Sequence, residues 1–150
     1  MTDALKTRIL SEVKDAMRAR DKERLGVLRM VTAAIKQREV DSRIELDDSA
    51  VLQVLDKMIK QRRDAEAQFR DAGRPELADQ EAYEVTVISA YMPEALDQDS
   101  LAALVDEAVA AAGAVSMKDM GKVLGTLRPK VQGRADMGAV SAAVKARLSS

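Results

Sequence analysis

The chain of 150 residues contains no cysteine, no histidine and no tryptophan, and only three prolines and three aromatic residues, Phe69, Tyr83 and Tyr91. Without cysteine there is no disulfide, no thiolate metal site and no sulfur nucleophile. Without histidine the commonest general base near neutral pH and the commonest metal ligand are both gone. Zinc sites of the usual kinds and Ser-His or Cys-His catalysis are therefore excluded within this chain. No apolar run approaches the roughly 20 residues that span a bilayer. Met1-Thr2-Asp3-Ala4 is not followed by the apolar stretch of a signal peptide, so a cytoplasmic, non-membrane location is expected.

Apolar residues nevertheless make up 47% of the chain, and they are mainly Ala, Leu, Val and Met. With 33% charged residues, this composition favours helix over sheet. Apolar spacings of three and four predict seven helices and no strand. The first runs from about Asp3 to Arg20, with Leu5, Ile9, Val13 and Met17 on one face, and Asp21 caps or breaks it. A second carries Leu25, Leu28, Val31 and Ile35 as far as Asp41-Ser42. Leu46-Asp47-Asp48-Ser49 supplies N-cap acceptors for a third, with Val51, Leu55, Met58/Ile59, Ala65 and Phe69 as its stripe, closed by Gly73 in a left-handed cap. Pro75 opens a fourth, with Leu77, Ala78, Ala82, Val85, Ile88 and Tyr91/Met92, and Pro93 ends it.

Pro93–Leu96 reads as a linker, giving an N-terminal helical domain at 1–93 and a three-helix module at 94–150. Asp97 caps the fifth helix and Gly113 stops it. Ser116-Met117-Lys118-Asp119 has the form of a capping box for the sixth, with Met117, Met120, Leu124 and Leu127 on one face. Pro129 closes that helix, Lys130–Ala135 is a loop, and Asp136 caps the seventh. The fold class is all-α: a bundle of about four helices plus a small three-helix module.

A net charge of -1 conceals a local polarity. Residues 94–107 carry five acids and no base, whereas residues 118–150 carry seven bases against Asp119 and Asp136. The candidate phosphate-binding residues are Lys118, Lys122, Arg128, Lys130 and Arg134; the alternative is surface charge that balances the acidic fifth helix. The lack of nearby aromatics points to recognition of shape and backbone, as in a folded RNA. Gly121 and Gly125 lie four apart on one helix, where each costs about 0.5–1 kcal/mol relative to alanine. Either close helix packing or the approach of an external partner's backbone would offset that cost, and Gly133 beside Arg134 raises the same question. Gly121-Lys122 is not a phosphate loop, because G-x-x-x-x-G-K-[ST] is absent. Arg62 falls within an apolar stripe, so it either snorkels or pairs with Glu81 or Glu84.

Met58-Ile59-Lys60-Gln61-Arg62-Arg63-Asp64, Gln68-Phe69, Ala72-Gly73-Arg74 and Glu81 to Pro93 resemble the YqeY-like proteins. So do Lys118-Asp119-Met120-Gly121-Lys122-Val123-Leu124-Gly125 and Gln132-Gly133-Arg134-Ala135-Asp136. The likeness covers nearly the whole chain. It implies a bacterial-type protein whose C-terminal module is shared with the tail of the B subunit of glutamine-dependent aminoacyl-tRNA amidotransferases. In those enzymes the tail helps to engage tRNA, while the reaction centre and the ammonia source lie elsewhere. The matching positions are Asp119, Gly121, Lys122 and Gly125, then Gly133, Arg134 and Asp136, with Lys122 and Arg134 as the phosphate contacts.

The resulting expectation is a non-enzymatic accessory protein, without cofactor or metal, that binds tRNA or a tRNA-handling protein complex through its basic module. Two rivals stand beside it. One is a protein-interaction module that uses the acidic fifth helix or an exposed Met/Leu groove. The other is a component of an amidotransferase complex whose carbon–nitrogen ligase site is on other subunits.

Overall fold

A computed structural model describes residues 4–149. Among them are seven α-helices, α1 (Ala4–Arg18), α2 (Lys22–Ser42), α3 (Asp48–Asp71), α4 (Pro75–Ser89), α5 (Gln98–Ala112), α6 (Met120–Val131) and α7 (Met137–Ser149), and no strand. A 3-10 turn, Met117–Asp119, precedes α6. The chain divides into two compact units at Met92/Pro93, each with its own apolar core.

In the first unit α1–α4 enclose Ile9, Leu28, Val31, Leu55 and Ile88, all fully buried. Each such side chain contributes about 1.5–3 kcal/mol on leaving water. Local chemistry sets the helix ends. The Asp21 carboxylate accepts the Arg24 N–H at 3.1 Å, and Asp47 accepts that of Ala50 at 2.9 Å. Gly73 takes φ +72° after α3, and the Arg74 N–H returns to the Phe69 carbonyl at 2.8 Å, the bonding of a Schellman cap.

Met17, placed in the core by the sequence pattern, is 52% exposed, and Ala16 is buried instead. The reason is the helical angle: seven residues beyond Ile9 return to its face, whereas eight overshoot by about a quarter turn. Asp3, the expected start of α1, lies outside the described residues. The helix stops at Arg18 because Arg20 is left-handed at φ +56°, with the Asp21 N–H bonded to the Ala16 carbonyl at 3.0 Å. Only glycine adopts that backbone without steric penalty, so Arg20→Gly is expected to stabilise the chain by about 1 kcal/mol. A higher urea midpoint would register it.

The second unit packs Val105, Ala108 and Val109 of α5 against Val123, Leu127 and Val131 of α6 and Val140 and Val144 of α7. The Asp97 carboxylate accepts the Ser100 N–H at 2.7 Å. Gly113, at φ +62°, ends α5 in a second Schellman pattern, Ala114 N–H to Val109 carbonyl at 3.0 Å. Two expectations for α6 are corrected. Met117 is 41% exposed, and fully buried Val123 takes the core position. Pro129 does not close the helix but sits inside it, so Lys130 and Val131 are helical rather than loop. Proline removes one donor, its own, and Leu127 and Val131, buried on either side of it, hold the helix through that point.

With neither histidine nor cysteine, no side chain ordinarily titrates near neutrality. Hydrogen bonding from Lys6 and then from the Leu46 N–H lowers the pKa of Glu39 from its ordinary 4.5. Backbone N–H groups do the same from 3.8, that of Ser100 for Asp97 and those of Val115 and Ser116 for Asp119. A carboxylate depressed in the folded state stabilises fully above its unfolded value, and that stabilisation is lost as the pH falls through its folded value. Glu81 has the opposite sign, because burial and then the neighbouring Glu84 charge raise it. The urea midpoint is therefore expected to stay level between about pH 6.5 and 8.5 and to fall below about pH 4.5.

Candidate nucleic-acid interface

At 100° per residue, Met120, Val123, Leu124, Leu127 and Val131 form the inner face of α6. The outer face then consists of Lys122, Gly125 and Pro129, with Gly121 and Arg128 on one flank, and all five are exposed. A Cβ built on Gly121 or Gly125 meets nothing within 4 Å. Close packing inside the module, one of the two explanations open from the sequence, is thereby removed for both glycines. Pro129 adds to the openness: lacking an N–H, it leaves the Gly125 carbonyl without its i+4 donor on the solvent side.

The five candidate cations separate into two sets. Lys118, Lys122 and Arg128 are exposed, and none forms an ion pair among the described residues. Lys130 binds Glu107 at 3.3 Å, just as Arg147 binds Asp106 at 2.8 Å, so part of the basic charge balances α5. Arg134 reaches back along the chain: its Nε donates to the Glu94 carbonyl at 3.1 Å and its own carbonyl accepts the Leu96 N–H at 2.8 Å. It clasps the start of the unit to the α6–α7 loop. Gly133 serves that loop through its left-handed φ of +73°. Asp136 accepts the Ala139 N–H at 3.3 Å, capping α7.

Asp119 anchors the approach to this face. Its carboxylate accepts the N–H groups of Val115 at 3.0 Å and Ser116 at 3.4 Å, which locks the turn carrying Lys118. The surface that results presents Lys122 and Arg128 beside two side-chain-free positions, with Lys118 exposed on the turn before them. Such a face can meet a phosphate backbone at close range.

In the first unit, the Arg62 Nε donates to Glu84 Oε1 at 3.1 Å and its Nη1 to the Met58 carbonyl at 3.2 Å. Of the two acids considered for Arg62, Glu84 is the partner, and among the described residues it is the one charged side chain in the buried set. Gln80 donates to its second oxygen at 3.1 Å. A second network went unread in the sequence. Arg8 and Arg24 each donate to Glu12 at 2.9 Å, and the Arg8 guanidinium lies 4.8 Å from the centre of the buried Tyr91 ring. Burial alone would raise the Glu12 pKa, but the bonds from Arg24 and Arg8 outweigh it and hold it low. Every member is partnered, so the network ties α1, α2 and the segment after α4 together. Among the described residues no group of three or more acids could hold a metal ion, and no single helix is long and apolar enough to cross a membrane.

The family profile described as Yqey-like protein matches residues 6–148. The chain belongs to the YqeY-like family. Membership covers both units, and with them the α6 face and the Arg62–Glu84 pair. Among curated relatives is altered inheritance of mitochondria protein 41, mitochondrial, of Eremothecium gossypii, 37% identical over 61% of this chain and 50% of that protein. A protein of the same name from Pyrenophora tritici-repentis is 26% identical over 85% of the chain and 71% of its own length. An uncharacterised protein of Schizosaccharomyces pombe is 33% identical over 57% of the chain and 70% of its length. The chain spans about half the length of the relatives of that name from Eremothecium gossypii and Kluyveromyces lactis. These fungal relatives, most of them named as mitochondrial, lend no support to the bacterial-type origin or the cytoplasmic location expected from the sequence.

Proposed function

We propose that this YqeY-like chain is a non-enzymatic accessory protein that binds tRNA through the outer face of α6. The observation that carries the reading is the set of three exposed cations with no ion-pair partner among the described residues, Lys118 on the turn before α6 and Lys122 and Arg128 beside Gly121 and Gly125, two positions where an added side chain would meet nothing. Glycines there lower helix stability without any packing return inside the unit. A partner whose backbone comes close supplies that return, and phosphate oxygens suit both the cations and the missing side chains. The likeness of residues 118–136 to the tail of the amidotransferase B subunit supports tRNA as the nucleic acid. Arg134 and Lys130, engaged within the unit, contribute to its integrity rather than to the contact.

The test is a titration of the chain with bulk tRNA at 50 and 200 mM salt. Affinity is expected to fall steeply between the two, because each phosphate contact releases counterions. Binding that ignores salt, or no binding at 50 mM, overturns the reading.

A further inference from the structure

A second exposed surface lies in the first unit, independent of the α6 face. The outer side of α2 repeats every seven residues. Lys22, Arg29 and Lys36 alternate with Gly26, Ala33 and Val40 at spacings of three and four, and all six are exposed. None of the three cations forms an ion pair among the described residues. Alongside runs a groove of about 550 Å³ between α1 and α2, with Ile9 and Ile35 at its floor, Leu10 and Ala33 in its walls and Arg29 and Lys36 at its rim. The lining also holds Lys6 and Glu39, paired at 2.6 Å, with Lys36 near enough to Glu39 to favour its charge, and one further acid, Glu45. Beyond the groove the same seam exposes further apolar side chains, Met17 on α1 at 52% and Val40 on α2 at 60%.

We propose that this α1/α2 seam is a docking site for an acidic amphipathic helix of a protein partner. A seam between two helices with a heptad repeat accepts a third helix as in a coiled coil, apolar knobs entering the groove and flanking charges meeting the rim. The two rim cations set the sign of the partner's flanks. A second copy of this chain fits poorly: in an isologous antiparallel contact α2 would set Lys22 against Lys36 and Arg29 against itself. A membrane fits poorly too, because a surface-bound helix presents a continuous face of large apolar side chains, whereas the outer side of α2 sets Lys22, Arg29 and Lys36 between Gly26, Ala33 and Val40.

The experiment is fluorescence anisotropy of the full chain with two synthetic 18-residue helical peptides. Both carry Leu at heptad core positions; one has Glu and the other Lys at the flanks. The Glu peptide is expected to bind at least tenfold more tightly. Arg29→Glu/Lys36→Glu should abolish or invert the preference, and Ala33→Gln should weaken binding by filling the groove. All three positions are exposed, so these variants keep the fold, and circular dichroism verifies it. Equal affinities, no binding of the Glu peptide, or an unaltered preference in the double variant overturns the proposal. Binding of anionic phosphatidylglycerol vesicles that the same double variant loses, in place of peptide binding, also overturns it, in favour of a lipid surface.

Discussion

Arg62→Ala is expected to lower the stability of the chain by about 3 kcal/mol, the cost of leaving a buried carboxylate without its cation. Glu84 is only 8% exposed, and after the substitution it keeps one hydrogen bond, that from Gln80. The loss therefore comes chiefly from the uncompensated charge, not from the pair's intrinsic strength. That distinction has its own measurement. Arg62→Met/Glu84→Leu removes both charges and fills the space with apolar side chains, and it should recover all but about 1 kcal/mol of wild-type stability, since desolvation nearly cancels attraction in such pairs. Urea melts of the three proteins decide it. A single variant as stable as wild type would mean that water reaches Glu84.

Lys122→Glu/Arg128→Glu is expected to weaken tRNA binding by about 25- to 60-fold at 0.1 M salt. The figure follows from two lost phosphate contacts, which reduce the slope of log affinity against log salt by about 1.4–1.8. Charge repulsion from the new glutamates adds to it. Both side chains are exposed, so the fold should survive and circular dichroism should match wild type. Arg134→Ala gives the contrast. It breaks the bond to the Glu94 carbonyl and should lower thermal stability by about 1 kcal/mol while leaving the salt slope unchanged. A slope that falls in Arg134→Ala but not in the double variant would move the contact from the α6 face to the loop.

The features legible in the sequence are those that local chemistry decides. Asp21, Asp47 and Asp97 cap helices through N–H groups three residues on, and Gly73 and Gly113 adopt left-handed backbones where the apolar stripes stop. Arg62 announced a partner because a guanidinium in an apolar stripe needs one. What was not legible depends on chain distance. Tyr91 meets Arg24 across 67 residues, and no pattern around either residue points to the other. Arg134 stands out in the sequence as basic and near a helix start, but the carbonyl that its Nε meets lies 40 residues earlier. Pro129 misled because its penalty is local while the burial of Leu127 and Val131 that outweighs it is tertiary. The openness around Gly121 and Gly125 could not be read either, since spacing says that two glycines share a face but not what stands opposite.

The N-terminal end of α1 carries a consequence for how the chain is made. The Leu5 N–H donates to the Asp48 carboxylate at 2.9 Å, and Lys6 bonds Glu39. The first turn is thus finished by residues far downstream, and α1, at 15 residues, is of a length that is marginal as a free helix in water. A growing chain emerging from the ribosome holds this segment in an incomplete state until α2 and the first turn of α3 have followed it out. The first turn of the unit thus waits for Asp48, 43 residues further along the chain, before it is complete.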